Sequence, residues 1–155
     1  MRRLLALIAA LPLMAFASAQ ERIITLGGDV TEIVYALGAA PSLVARDSTS
    51  QWPSEAAALP DVGYLRQLNT EGILSLRPTL VLASSQAQPS LVLQKVEDSK
   101  VKVVNVPGGY DAAAIEGKIS VIANALGKQP QGETLRQLLQ AEFAKIPSQP
   151  LNKRV

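Results

Sequence analysis

Four short β-rich runs alternate with helical segments along this chain, and that order constrains the fold more than any other feature. The runs are RIITL (22–26), SLVAR (42–46), TLVLAS (79–84) and VKVVNV (101–106). TLVLAS is apolar without alternation, which is typical of a strand buried on both faces. The repeating strand-helix order predicts an α/β fold in which helices flank both faces of a parallel sheet.

The helical segments carry periodic apolar positions and their own end signals. In DVTEIVYALG (29–38), apolar residues recur at helical spacing, Asp29 and Glu32 form a candidate capping pair, and Gly38 is a stop signal. Asn69 or Thr70 is placed to cap a short helix before Pro78. The segment PSLVLQKVEDSK (89–100) is also predicted to be helical.

Two further helices in succession follow the last strand. The apolar stripe of the first of these helices comprises Ile115, Ile119, Ile122, Ala123 and Leu126. The second, after Gly127 and Pro130, comprises Leu135, Leu138, Leu139 and Phe143. Two helices in succession indicate the edge of a lobe, and the final residues resemble the approach to a further strand. We expect the chain to be a fragment.

The first 19 residues have the pattern of a cleaved secretory signal. Arg2 and Arg3 precede an apolar run that ends in Ala17-Ser18-Ala19. A transmembrane anchor is the alternative, but the run is short and Pro12 interrupts it. The chain contains no cysteine, hence neither a lipid-attachment thiol nor disulfides. These features predict a periplasmic protein.

Charge and residue content exclude several functional classes. Without Arg2 and Arg3, 13 basic side chains balance 13 acidic ones, so nothing favours nucleic acid as a partner. The absence of histidine and cysteine excludes His-based triads, thiol catalysis and common zinc sites, and neither a dinucleotide-binding nor a P-loop glycine motif is present. A carboxylate-dependent hydrolase remains an alternative, although no pair of acids has a distinctive spacing.

Two longer stretches carry a family resemblance. The segments RIITLGGDVTEIVYALG and NTEGILSLRPTLVLAS resemble the N-terminal lobe of periplasmic substrate-binding proteins that serve ABC importers of haem, vitamin B12 and iron siderophores. The resemblance covers the mature chain and implies two α/β lobes joined by a long helix. It predicts a signal peptide (1–19), an N-terminal ligand-binding lobe (20–130), an interlobe helix (131–150, with its core near 133–146) and the start of a second lobe (151–155).

The segment VGYLR resembles the haem-specific branch, the hemin-binding periplasmic proteins, in which a loop tyrosine at this place ligates haem iron. The resemblance therefore implies Tyr64 as the iron ligand, with haem as the transported ligand. Ferric iron suits an anionic oxygen donor, and a bound cation favours deprotonation of a coordinating group. Packing on the loop is the alternative for Tyr64. Tyr110 is a competing ligand at another strand end, whereas Tyr35 lies beside an apolar helical stripe and is expected to pack.

Other residues are expected near the ligand or a partner. Arg66 is a candidate for a haem propionate, or else a solvated surface arginine. Trp52, on the connection after the second strand, either stacks on the porphyrin or covers the lobe. The strand-end positions should line the cleft: Gly27, Gly28, Ser84 and Ser85.

The resemblance also implies partners. Glu71 matches the glutamate that docks on the permease in this superfamily, and the partners would be haem, an inner-membrane ABC permease and an outer-membrane haem receptor system. A cobalamin or ferric-siderophore binder is the alternative within transport.

Overall fold

A parallel four-stranded sheet forms the centre of the computed structural model, which describes residues 20–147. The strands are β1 (Ile23–Leu26), β2 (Leu43–Arg46), β3 (Leu80–Ser84) and β4 (Lys102–Val106), in the order β2-β1-β3-β4. All pairings are parallel. The predicted α/β sheet is confirmed, with each strand starting one residue later than its apolar run. The predicted signal peptide and the start of a second lobe at 151–155 lie outside the described residues.

Five helices occur among the described residues: α1 (Gly28–Ala36), α2 (Thr70–Ser75), α3 (Ser90–Asp98), α4 (Ala112–Ala125) and α5 (Gln129–Phe143). Two 3₁₀ turns, Ala40–Ser42 and Ser54–Ala58, flank β2. The helix expected over 131–150 starts at Gln129 because Pro130 is accommodated in its first turn, and it ends at Phe143. Within residues 20–147, no helix combines the length and apolarity that crossing a membrane requires.

Alternate residues along the strands are buried in two separate hydrophobic cores, one on each face of the sheet. Ile23, Leu80 and Leu82 face a cluster that includes side chains of α1 and α4. Ile24 and Val81 face a second cluster with α2 and α3. Successive strand residues point to opposite faces, so helices on both sides are needed to cover a sheet of this composition. The predicted layer order is therefore confirmed.

The predicted caps have different outcomes. Asn69 caps α2, because its side-chain oxygen accepts a 2.6 Å hydrogen bond from the Gly72 N–H. The capping pair predicted from Asp29 and Glu32 is wrong. Helix α1 begins at Gly28, directly after β1, and its N-cap is Gly27, so Asp29 already lies inside the first turn.

The apolar stripe of α5 is narrower than its sequence pattern indicates. Leu135 and Leu139 pack against the first core. Leu138 and Phe143, which belong to the same predicted stripe, are 61% and 37% exposed. Helix α5 packs mainly on α4, where a Cβ at Gly132 would lie 2.5 Å from that of Ala123. A single neighbouring helix covers only a narrow strip of its surface.

Candidate functional site

A cavity of about 400 Å³ opens at the carboxyl edge of the sheet. Residues that follow each of the four strands line it, together with the loop before α2 and one side chain of α4. Ligands of open parallel sheets bind at this edge, where the connections diverge. The lining residues are Gly27, Gly28, Asp29, Thr49, Tyr64, Leu65, Arg66, Ser84, Gln86, Gly108, Gly109, Tyr110 and Lys118.

The turn between β1 and α1 is a closely packed part of the wall. Gly27 has a φ of +121°, a conformation that other residues rarely adopt, and a Cβ there would lie 2.9 Å from that of Ser84. Both positions lie at the ends of the adjacent central strands. Glycine is therefore needed for the backbone to pass this close to β3.

Asp47 holds this turn from beneath the cavity. Its carboxylate is fully buried and accepts hydrogen bonds from the Gly27 N–H (2.8 Å) and the Ser50 hydroxyl (2.6 Å). Its other oxygen accepts from the N–H and hydroxyl of Thr49, at 2.9 and 2.6 Å. Thr31 lies 2.7 Å from the Ser50 hydroxyl and joins α1 to the same network. Two cavity-lining segments are thus fixed to one buried group.

Tyr64 lies on a loop that is anchored on either side. Val62 and Leu65 are buried in the second core. Between them, Tyr64 is 47% exposed and lines the cavity. The Gln67 N–H donates to the Tyr64 carbonyl at 2.8 Å, which closes a turn after the tyrosine. The chain therefore presents a phenol to the cavity from a short segment with fixed ends.

Arg66 lines the same cavity and contacts a neutral group. Its Nη2 donates to Gln86 Oε1 at 3.4 Å, and Gln86 Nε2 donates to the Tyr110 hydroxyl at 3.4 Å. Both contacts are long, so they hold the three side chains weakly. Tyr110 is 95% exposed. The guanidinium is therefore available to an anionic ligand group.

Lys118 brings a second cation to the cavity, from α4. Its ammonium pairs with Asp29 Oδ2 at 2.6 Å, and the lysine side chain is only 13% exposed. Asp29 is the single carboxylate among the lining residues. Because the pair is neutral overall, Arg66 provides the net positive charge of the lining. Lys118 was not predicted as a site residue, although it falls three residues after Ile115 and four before Ile122 of the inward stripe.

Not every predicted site residue reaches the cavity. Trp52 does not line it and is 67% exposed, because the segment after β2 turns to bury Asp47 and Ser50. Ser85 is outside the lining too, with its hydroxyl directed at Gly108. The remaining strand-end and loop predictions do line the cavity: Gly27, Gly28, Tyr64, Arg66, Ser84 and Tyr110.

Tyr35 and Glu71 lie away from the cavity. Tyr35 packs against the first core, as expected. Burial raises the pKa of its phenol, and the charge of Glu55 raises it further, so the tyrosinate is disfavoured there. Glu71 is exposed in the first turn of α2. Among residues 20–147, no group of three acidic, histidine or cysteine side chains is placed to hold a metal ion.

The chain is similar to known proteins along most of its length. Residues 23–149 match the family model described as periplasmic binding protein. The periplasmic heme-binding protein RhuT from Roseiflexus sp. RS-1, in apo form, superposes with a TM-score of 0.78 at 39% identity, over 81% of this chain and 48% of that one. The periplasmic vitamin B12-binding protein BtuF of Vibrio cholerae superposes with a TM-score of 0.65 at 30% identity, over 81% and 51%.

Sequence comparison finds a related set of proteins. The vitamin B12-binding protein of Vibrio vulnificus (strain YJ016) is 36% identical over 83 residues, which are 54% of this chain and 30% of that protein. The chain spans about half the length of the solved structures it matches, and less of this curated relative.

Proposed function

Because the chain belongs to the periplasmic binding protein family, we propose that it is a haem-binding component of an ABC importer, which delivers haem to an inner-membrane permease. In this proposal residues 20–130 form one ligand-binding lobe, and the helix expected over 131–150, observed as α5, leads towards a second lobe. The signal-like first 19 residues direct the protein to the periplasm.

The observation that carries the proposal is the placement of Tyr64. Its phenol is exposed on the cavity wall, and Arg66 lines the same cavity. A tyrosinate suits ferric iron, and a guanidinium pairs with carboxylates such as haem propionates. Burial of a few hundred Å² of porphyrin would add several kcal/mol, at about 25 cal/mol per Å². The chain therefore offers a distinct group for each chemical part of haem.

Two other functions are less well supported. A cobalamin binder is favoured by the vitamin B12-binding relatives, but the structural match to BtuF is weaker than the match to RhuT. A carboxylate hydrolase would need a pair of acids at the site, whereas the lining contains Asp29 alone, already paired with Lys118. A binding role without catalysis fits these groups better.

Titration of the purified protein with ferric haem tests the proposal. We expect one Soret-absorbing complex that shows the tyrosinate-to-iron charge-transfer band. Tyr64→Phe should remove this band and weaken ferric haem binding, with native circular dichroism because the loop hydroxyl contributes little to the fold. Tyr35→Phe is the matched control and should leave the spectrum unchanged.

An unchanged ferric spectrum and affinity in Tyr64→Phe would rule out Tyr64 and direct attention to Tyr110. Tight binding of cobalamin, with a Soret band that stays at the position of free haem, would favour the alternative within transport.

A further inference from the structure

The Asp61 side chain joins the loop that presents Tyr64 to the end of β2, beside backbone hydrogen bonds between the same two segments. Asp61 pairs with Arg46, the last residue of β2, in an isolated parallel bridge. One carboxylate oxygen accepts hydrogen bonds from the Gly63 N–H (2.8 Å) and the Ser48 hydroxyl (2.9 Å). The other oxygen lies 2.6 Å from Arg46 Nη1. One side chain thus contacts both the sheet and the residue before Tyr64.

Arg46 gives this carboxylate a fixed support. Its side chain is only 12% exposed. The guanidinium also donates to the Asp47 carbonyl (3.2 Å) and the Ala57 carbonyl (3.3 Å). Because several hydrogen bonds fix the Arg46 guanidinium, it provides Asp61 with an ion-pair partner in a defined position. The hydrogen bond between Asp61 and the Gly63 N–H then fixes the backbone directly before Tyr64.

Gly63 is the point at which the loop direction is set. Its φ is +105°, and its carbonyl accepts from the Ser48 N–H at 2.9 Å. Because glycine has the widest backbone freedom, the conformation at this residue depends on its hydrogen bonds. The Asp61 carboxylate accepts from the N–H of Gly63 while Ser48 donates to its carbonyl, and the next residue is Tyr64.

We infer that Asp61 is a positioning residue for Tyr64, which sets the direction of the phenol through its hydrogen bond to the Gly63 N–H. The inference rests on the proposed function, since it concerns the proposed iron ligand. The hydrogen bond to the Gly63 N–H depends more on where the acceptor oxygen of residue 61 lies than on the charge of that side chain.

Two substitutions separate geometry from charge. Asp61→Asn keeps an oxygen at the same distance from the Gly63 N–H but loses the ion pair with Arg46. Asp61→Glu keeps the charge, but its extra methylene moves the oxygens away from Gly63. We expect Asp61→Asn to bind ferric haem within about threefold of wild type. Asp61→Glu should bind about tenfold more weakly, the equivalent of one hydrogen bond, with a diminished charge-transfer band.

The stability of the two variants should rank in the opposite order to their haem affinity. If Asp61 only stabilised the fold, the less stable variant would also bind more weakly. Urea unfolding of the ligand-free protein should show Asp61→Asn to be less stable than Asp61→Glu, because the asparagine leaves Arg46 without its ionic partner. Asn69→Ala, which removes the cap of α2, is the control for a stability loss outside the tyrosine loop. It should retain wild-type affinity and spectrum.

The possible failures are distinguishable. The positioning role alone is overturned if affinity follows stability, so that Asp61→Asn binds more weakly than Asp61→Glu. It is also overturned if Asp61→Glu binds like wild type while Tyr64→Phe loses the band. If Tyr64→Phe keeps the band, Tyr64 is not the iron ligand, and the inference is overturned together with that assignment.

Discussion

Replacing Asp47 by alanine removes the buried acceptor beneath the cavity wall. The carboxylate receives hydrogen bonds from the Gly27 N–H, from Ser50 and from both donors of Thr49. The Gly27 and Ser50 donors are buried, whereas those of Thr49 are partly accessible to water. The substitution should therefore orphan two donors fully and two only in part.

The expected cost follows from those two buried donors. A buried donor without a partner costs about 1–3 kcal/mol, so we expect Asp47→Ala to lower the free energy of unfolding by about 2–6 kcal/mol. Small domains unfold with free energies of about 5–15 kcal/mol. The loss is therefore a large share of the stability that such a domain has. Asp47→Asn keeps one acceptor oxygen but places an amide donor against Thr49, so its loss should be intermediate.

Urea unfolding followed by circular dichroism measures this loss. With a denaturant slope of about 1.5 kcal/mol per M, the midpoint should fall by at least about 1 M in Asp47→Ala. Asn69→Ala, which loses one exposed cap, should cost about 1 kcal/mol and calibrates the assay. An Asp47→Ala midpoint no lower than that of Asn69→Ala would refute the reasoning, because it would mean that water or a rearranged turn satisfies the buried donors.

Three other predictions concern permease docking, helix packing and stability in acid. Glu71→Ala should impair import while leaving haem titration unchanged if Glu71 docks on the permease; an equal loss of haem affinity would contradict that role. Gly132→Ala should destabilise by about 1–3 kcal/mol in thermal melts, since its Cβ would meet that of Ala123 at 2.5 Å, and an unchanged melting temperature would show that α5 can shift. Burial alone would raise the pKa of Asp61, but the Gly63 N–H, Ser48 and Arg46 together lower it. Hydrogen bonds from Gln140 and Arg136 lower the pKa of Glu116. Both groups therefore stabilise the fold above their ordinary pKa, and this contribution is lost as the pH falls through the lowered values, below about pH 4. Asp61→Asn should flatten the acid limb of the stability curve, and an identical acid limb would contradict this.

The strands could be predicted from the sequence because their signal is local. A continuous apolar run such as that of β3 indicates burial on both faces without knowledge of its neighbours. The start of α1 could not be predicted in the same way. Gly27 adopts its conformation with its N–H bound to Asp47, twenty residues away in the sequence. The local capping pattern of Asp29 and Glu32 gave the wrong start because it contains no such information.

The site was predictable to the extent that strand ends define it. Gly27, Ser84 and the VGYLR loop follow from the strand order and the family resemblance. Lys118 has the helical spacing of the inward stripe, but periodicity does not show that its long side chain reaches the cavity, and Gln86 lies one residue beyond the predicted strand-end pair. For Trp52, residue type and position after β2 left stacking in the cleft and covering the lobe both open, and the buried turn at Asp47 directs the chain away from the cavity.

The separation between the two cores and the cavity has an evolutionary consequence. The cavity wall is built from several independent connections, and among its residues only Leu65 belongs to a core. Substitutions in one connection can change ligand contacts while the sheet and its helices keep their packing. Lineages can therefore exchange one cargo for another on an inherited scaffold, and this lobe's likeness both to proteins named for heme and to proteins named for vitamin B12 is what such a history would leave.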